Sequence, residues 1–353
     1  MRITTRRPPI ATAADFRYCH AVIRAGSKTF SAAARLLPRS MADAACALYA
    51  FCRVADDAVD VDGGCMPAVL GLQQRLDRVY ANQPDDDPID RAFAETVAIY
   101  GIPQQLPEAL IEGLAWDACG DRHYHTLSDV YAYAARVAGA VGGMMSLVMG
   151  RPEPETVARA CDLGVAMQLS NIARDVGEDA TNDRLYLPRD WMVEEGLDPA
   201  DWMAAPTYTP ALGRVVERLL AEAEVLYRRA DPGIDRLPFG CRGAIHAARL
   251  MYAEIGAEVG RHRFNSVDRR AVVPGKRKRA LIVQAVAAWM MPRPMRPAPV
   301  LPENRFLVDA VAEMQRPDAV HAAATQTLDD RMAWLAHILV RLDGQDQIAR
   351  PRA

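Results

Sequence analysis

Asp56 and Asp60, and far downstream Asp175 and Asp179, form two aspartate pairs, each with a four-residue spacing. If the segments carrying them are helical, both carboxylates of a pair project from one face. Like charges at that spacing cost an isolated helix about 0.2–0.5 kcal/mol, so helix stability does not ask for the arrangement twice. A hard divalent cation does: Mg²⁺ is commonly held by one or two carboxylates together with substrate phosphate oxygens. Tyr49, Arg53, Asp56 and Asp60 step by four, three and four residues, and Gln168, Asn171, Asp175 and Asp179 by three, four and four. Each set makes one polar stripe, in which Arg53, Arg174, Gln168 and Asn171 could donate to the phosphate oxygens of a metal-chelated polyanion. The plainer reading is two solvated helix faces. The recurrence, and the setting of Gln168 and Asn171 in an otherwise apolar segment, favour a site.

Between the pairs, Gly139, Gly142 and Gly143 interrupt a nearly apolar run from Val137 to Met149. Each glycine costs a helix about 1 kcal/mol relative to alanine, so something should compensate. Close helix packing would do so. Alternatively, the small side chains leave an apolar channel wide enough for a hydrocarbon, with Tyr133 facing it and able to steady a carbocation.

The elements that must position these residues read as helices throughout. Apolar residues recur at helical spacing, and period-two runs bounded by turns are hard to find. Thr209-Pro210 opens one helix that Asp231-Pro232-Gly233 should stop. Ser40 is expected to cap the helix running to Asp60, Ser128 to cap another, and Pro152 and Pro154 to open the helix bearing Asp175. The expected organisation is a flexible tail over residues 1–14, a helical domain over 15–291, a proline-rich linker over 292–302 and a helical extension over 303–353. In that extension Leu328–Leu342 is amphipathic, suiting either packing on the body or a membrane or partner surface.

Composition narrows the classes. A net charge of −3 implies no broad attraction to nucleic acid. Seven scattered cysteines without a Cys-x-x-Cys pair argue against a disulfide framework or zinc site and for a reducing cytoplasm. Val137–Met149 is too short to span a bilayer.

Two long motifs carry a family resemblance. Tyr133-Ala-x-x-Val137-Ala138-Gly139-Ala140-Val141-Gly142-x-x-Met145-x-x-Val148 is one. Leu163-Gly164-x-x-x-Gln168-x-x-Asn171-Ile172-x-Arg174-Asp175-Val176-x-x-Asp179, followed by Arg184-x-Tyr186-x-Pro188, is the other. The chain resembles squalene and phytoene synthases, the isoprenyl diphosphate synthases that join two substrates head to head. The likeness runs from about Gly26 to Val273 and takes in Ser27-Lys28-x-Phe30 and Tyr49-x-x-x-Arg53.

This resemblance implies an all-α isoprenoid synthase fold, a single helical bundle around a central cavity. It implies that Asp56, Asp60, Asn171, Asp175 and Asp179 hold Mg²⁺ or Mn²⁺. Arg53, Tyr49 and Tyr133 would join the aspartates in catalysis. Ser27, Lys28, Phe30, Val137, Ala138, Gly142, Gln168, Asn171, Arg174, Arg184, Tyr186, Tyr252 and Arg270 would bind substrate, with Arg269 a competitor for the last place. Ala248–Gly256 and Arg270–Val273 look more like bacterial phytoene synthases of carotenoid pathways than squalene synthases. The implied reaction joins two geranylgeranyl diphosphates through a cyclopropyl diphosphate to phytoene, without a nicotinamide cofactor.

The rivals are a squalene or dehydrosqualene synthase acting on farnesyl diphosphate, and a non-catalytic scaffold, which would be expected to lose acidic positions. A di-iron bundle needs Glu-x-x-His pairs that the sequence lacks. Lys276-Arg277-Lys278-Arg279 reads as a solvated run or a peripheral contact with anionic lipid at the inner membrane. Contact with a downstream desaturase would suit an oily product. His123 and His125 are weak candidates for metal ligation.

Overall fold

A computed structural model describes residues 9–59, 65–118, 123–291, 293–294 and 298–315. Asp60 and the Leu328–Leu342 stretch lie outside the described residues. The described chain is helical, with no strand. In order run α1 (Ala13–Gly26), α2 (Lys28–Ala34), α3 (Arg39–Val59), α4 (Cys65–Tyr80), α5 (Pro88–Tyr100), α6 (Gln105–Ala118) and α7 (Leu127–Ala134). A π-helical turn, Ala135–Gly139, leads into α8 (Ala140–Val148), followed by α9 (Pro154–Thr181), α10 (Arg189–Glu194) and α11 (Pro199–Ala204). The chain then forms α12 (Pro210–Ile234), α13 (Phe239–Arg261), α14 (Gly275–Met290) and α15 (Arg305–Met314).

Local chemistry explains several helix starts. Thr12 with Asp15, and Thr126 with Asp129, form reciprocal capping boxes that satisfy orphan amide N–H groups. Thr209 caps α12 with Pro210 in its first turn, as its sequence suggests. Three expected boundaries move. Ser40 lies inside α3, which begins at Arg39 after Pro38. Thr126, not Ser128, caps α7; the Ser128 hydroxyl instead reaches Glu303. The Asp231-Pro232-Gly233 signal fails because Pro232 falls in the last turn, where the Asp235 amide still bonds back to the Asp231 carbonyl and the helix reaches Ile234. At the other end, Ala11 is buried and the Ile10 amide donates to Glu95, so ordered packing begins within the first fourteen residues.

Helix α9 is the central element, packed by α12, α8, α13 and the π-helical turn, while α3 packs on α1, α5 and α6. The α8–α9 crossing is set by glycine. A Cβ on Gly142 would overlap the Ala160 carbonyl, and one on Gly164 the Ala138 carbonyl, so the two backbones touch without intervening side chains.

Candidate active site

The residues of that close crossing also border a cavity. A cavity of about 330 Å³ lies among α2, α3, the π-helical turn, α8, α9, α12 and α13. Val137, Ala138, Val141, Gly142, Met145 and Met149 line one wall. Both readings of the glycine-containing run therefore apply: Gly142 packs on the Ala160 carbonyl and also borders the cavity. Along α9 the lining extends from Thr156 to Asn171, about 22 Å at 1.5 Å per residue, the length of an extended hydrocarbon tail.

The walls are apolar except at the ends. At one end stand Gln168, Asn171, Tyr49 and Tyr252. At the other, Arg159 is nearly buried and pairs with the fully buried Asp162 at 3.1 Å, where Arg229 also binds. Phe30 of α2 stacks on Tyr252 of α13 with ring centroids 5.3 Å apart and lies 6.1 Å from Tyr49, giving the polar end an aromatic collar.

The carboxylates gather at this collar. Burial works to raise the Asp175 carboxyl, but hydrogen bonds from Arg174 and Arg270 outweigh it and hold the group below the usual range. Arg270 places Nε 2.8 Å from Asp175 Oδ1 and also reaches Glu178 at 3.2 Å, whereas among the described residues no such contact brings Arg269 in. One turn on, Asp179 accepts no side-chain hydrogen bond among the described residues. Burial, with the charges of Asp175 and Asp117, pushes its carboxyl up to about 8. On α3, Arg53 bonds Asp57 at 2.6 Å and approaches Asp56 at 3.4 Å; all three are about half exposed.

Asp117, at the end of α6, joins the two stripes and was not singled out from the sequence. It accepts hydrogen bonds from Tyr133 at 2.6 Å and Tyr186 at 2.8 Å, and burial pushes its carboxyl up to about 6 despite them. It feels the charge of Asp56 and in turn raises Asp179, so acids from α3, α6 and α9 share one electrostatic neighbourhood with Arg184. A lone acid in Leu114-Ala115-Trp116-Asp117-Ala118 was the available signal, because an ionisable group in an apolar run needs partners.

The other expected site residues divide. Val137, Ala138, Gly142, Gln168, Asn171, Tyr49, Phe30 and Tyr252 line the cavity. Tyr133 does not face it: its ring stacks on Tyr186 at 5.0 Å and lies beside Tyr124, drawn there by the Asp117 carboxylate. Ser27 caps α2 by accepting from the Phe30 amide, and Lys28 is exposed at the start of that helix. His123 and His125 stand edge to face outside the cavity lining.

Among the described residues no three His, Cys, Asp or Glu side chains are close enough to chelate an ion as they stand, and arginines neutralise Asp56 and Asp175. The donor chemistry nonetheless fits a hard divalent cation. Asn171, Asp175 and Asp179 recur every four residues along α9. Among the described residues the Asn171 Oδ1 atom is buried without a hydrogen-bond partner, and Asp179 is a partly buried acid beside other acids.

The family model described as squalene/phytoene synthase matches residues 23–277. A phytoene synthase of Rhodobacter capsulatus is 53% identical over 307 residues, spanning 85% of this chain and 90% of that one. A phytoene synthase of Cereibacter sphaeroides is 46% identical, spanning 96% of this chain and 97% of that one. Among solved structures, a dehydrosqualene synthase in complex with ligand superposes with a TM-score of 0.72 at 30% identity, covering 78% of this chain and 96% of the other.

Proposed function

The chain belongs to the squalene/phytoene synthase family and is a prenyl-transferring enzyme of the phytoene synthase type, and from that premise we propose how its residues divide the work on two geranylgeranyl diphosphates. The observation that carries the reading is the pairing of an apolar cavity, lined along about 22 Å of α9, with a polar end near which acids from three helices lie within electrostatic range of one another.

Asp175, Asp179 and Asn171 of α9, with Asp56 and Asp60, would hold Mg²⁺ or Mn²⁺. The bound cation would offset the charge of the departing diphosphate. Arg174 and Arg270 now neutralise Asp175, and Arg53 lies against Asp56 and Asp57. When a diphosphate enters, these guanidinium groups can turn from carboxylate to phosphate oxygens without losing a charged partner. Gln168 and Tyr49 line the polar end of the cavity.

The prenyl tails lie along Val137, Ala138, Val141 and Met145, where the helix-lined wall excludes water from the allylic cations. Phe30, Tyr49 and Tyr252 present aromatic rings at the reacting end. Tyr133 and Tyr186 act indirectly, fixing Asp117 between the acid-bearing helices. Once the first diphosphate has left, the double bond of one substrate attacks the allylic cation of the other, and loss of a proton closes the ring to a cyclopropyl diphosphate. Loss of the second diphosphate, rearrangement and loss of a second proton then give phytoene, with no nicotinamide cofactor.

Among the described residues no helix is long and apolar enough to cross a membrane. A peripheral lipid contact is supported by α14, which starts with Lys276–Arg279, buries Leu281 and Ala285, and exposes Ile282, Val283, Val286 and Met290. Arg277 is committed instead to Glu254 at 2.8 Å.

Purified protein supplied with geranylgeranyl diphosphate and Mg²⁺ should release phytoene, and farnesyl diphosphate offered in parallel should be the poorer substrate. Formation of squalene alone, and only with NADPH, would overturn the assignment.

A further inference from the structure

A second hollow, about 540 Å³, lies where α1, α2 and the start of α3 meet. Ile23, Ala34 and Leu37 line both it and the main cavity, so that apolar wall is shared between them. The remaining lining is strongly basic: Arg17 and Arg24 from α1, Arg35 at the end of α2, and Arg39 at the start of α3.

Several arginines elsewhere are matched to acids, as in Arg75 with Asp90, Arg91 with Asp15 and Arg249 with Asp231. Here Arg17, Arg35 and Arg39 make no side-chain hydrogen bond or ion pair among the described residues, and Arg24 donates only to the His20 carbonyl. Asp43, facing His20, is already bonded to that ring at 2.7 Å. Ser31 is only 8% exposed, lines the same hollow, and its hydroxyl has no hydrogen-bond partner among the described residues. Four unneutralised guanidinium groups around one concavity repel one another, and a multivalent anion would remove that repulsion while engaging each planar fork.

We propose that this hollow binds a phosphate-class polyanion, either free inorganic diphosphate or the headgroup of an anionic phospholipid, gripped by Arg17, Arg24, Arg35 and Arg39. Guanidinium groups take phosphate oxygens in bidentate pairs, and the Ser31 hydroxyl can donate from the floor. The anion ties α1 and α3 to α2, whose Phe30 forms part of the aromatic collar, so occupancy steadies one wall of the catalytic cavity. The site itself does not depend on the catalytic reading.

Isothermal titration with inorganic diphosphate, in a chelator that excludes cation-bridged binding at the aspartates, tests the free-anion source. Flotation with phosphatidylglycerol against phosphatidylcholine vesicles tests the lipid source. Wild-type protein should bind diphosphate, or float with the anionic vesicles alone. Arg35→Gln/Arg39→Gln and, separately, Arg17→Gln/Arg24→Gln should weaken whichever binding occurs by about tenfold or more, while Asp175→Asn leaves it in place. Circular dichroism checks the fold, and two pairs on different helices keep the test usable if one misfolds. Binding of neither ligand, or equal binding by wild type and both variant pairs, overturns the proposal.

Discussion

Tyr133 donates a hydrogen bond from its hydroxyl to Asp117 at 2.6 Å, and in doing so turns away from the cavity that its position in the chain suggests it should face. Asp117 is thereby held between the α3 and α9 acids at the cost of an elevated carboxyl.

That cost has a pH signature. A carboxyl at about 6 in the fold and near 3.8 when unfolded stays protonated longer in the native state. Stability therefore falls as pH rises between these values and levels off above about 6. Asp117→Asn should remove that part of the slope, gaining about 2 kcal/mol on wild type between pH 4 and 6.5. Urea unfolding of both proteins across that range measures it; parallel curves would contradict it.

Asp175→Asn and Asp179→Asn should each lower phytoene turnover by about 100-fold or more while far-ultraviolet circular dichroism stays unchanged. Chelation should abolish turnover in wild type, and added Mg²⁺ or Mn²⁺ should restore it. Turnover that survives either treatment would favour a non-catalytic or metal-independent role for these acids.

Gly177 sits between those acids because the loop after α13 lies directly on it: a Cβ there would overlap the Val267 carbonyl, and the Gly177 amide donates to Ser266 at 3.0 Å. Gly177→Ala should lift the loop and take Arg270 off Asp175, with about 1–3 kcal/mol of destabilisation. Adding Arg270→Gln should then cost little further activity, because both changes break one contact. Additive losses in turnover would show the loop and Arg270 to be independent.

Ala244, Ile245, Leu37 and Leu237 line the cavity together with Met149 at the end of the wall remote from Asn171. Ala244→Phe should shorten the usable length and shift relative kcat/KM toward farnesyl diphosphate by about tenfold or more. Competition between the two diphosphates with product chromatography reads this directly. An unchanged ratio would place the length limit elsewhere.

Much of the site is legible along single helices. Asn171, Asp175 and Asp179 need only the helical repeat to share a face, and α9 is helical throughout. Val137 to Met149 likewise reads as a small-residue wall, although its π-helical turn has no obvious sequence mark. What the spacing does not show is which distant group will claim a side chain. Tyr133 is drawn to an acid 16 residues earlier, and Arg53 bonds Asp57 more closely than the Asp56 of its own stripe. Helix boundaries moved for a similar reason: Ser40 and Ser128 have capping chemistry, but Pro38 and the Thr126–Asp129 pair lie closer to the turns that needed it.

Arg159 gives the molecule a measuring stop. A tail growing past the last methyl-lined stretch meets a guanidinium clamped by Asp162 and backed by Gly233, whose missing side chain makes room for the Arg159 stem. To go further, the tail would have to desolvate or dislodge an ion pair that already sits almost dry. Length discrimination at this terminus would then come from the price of unmatched charge as well as from lack of room.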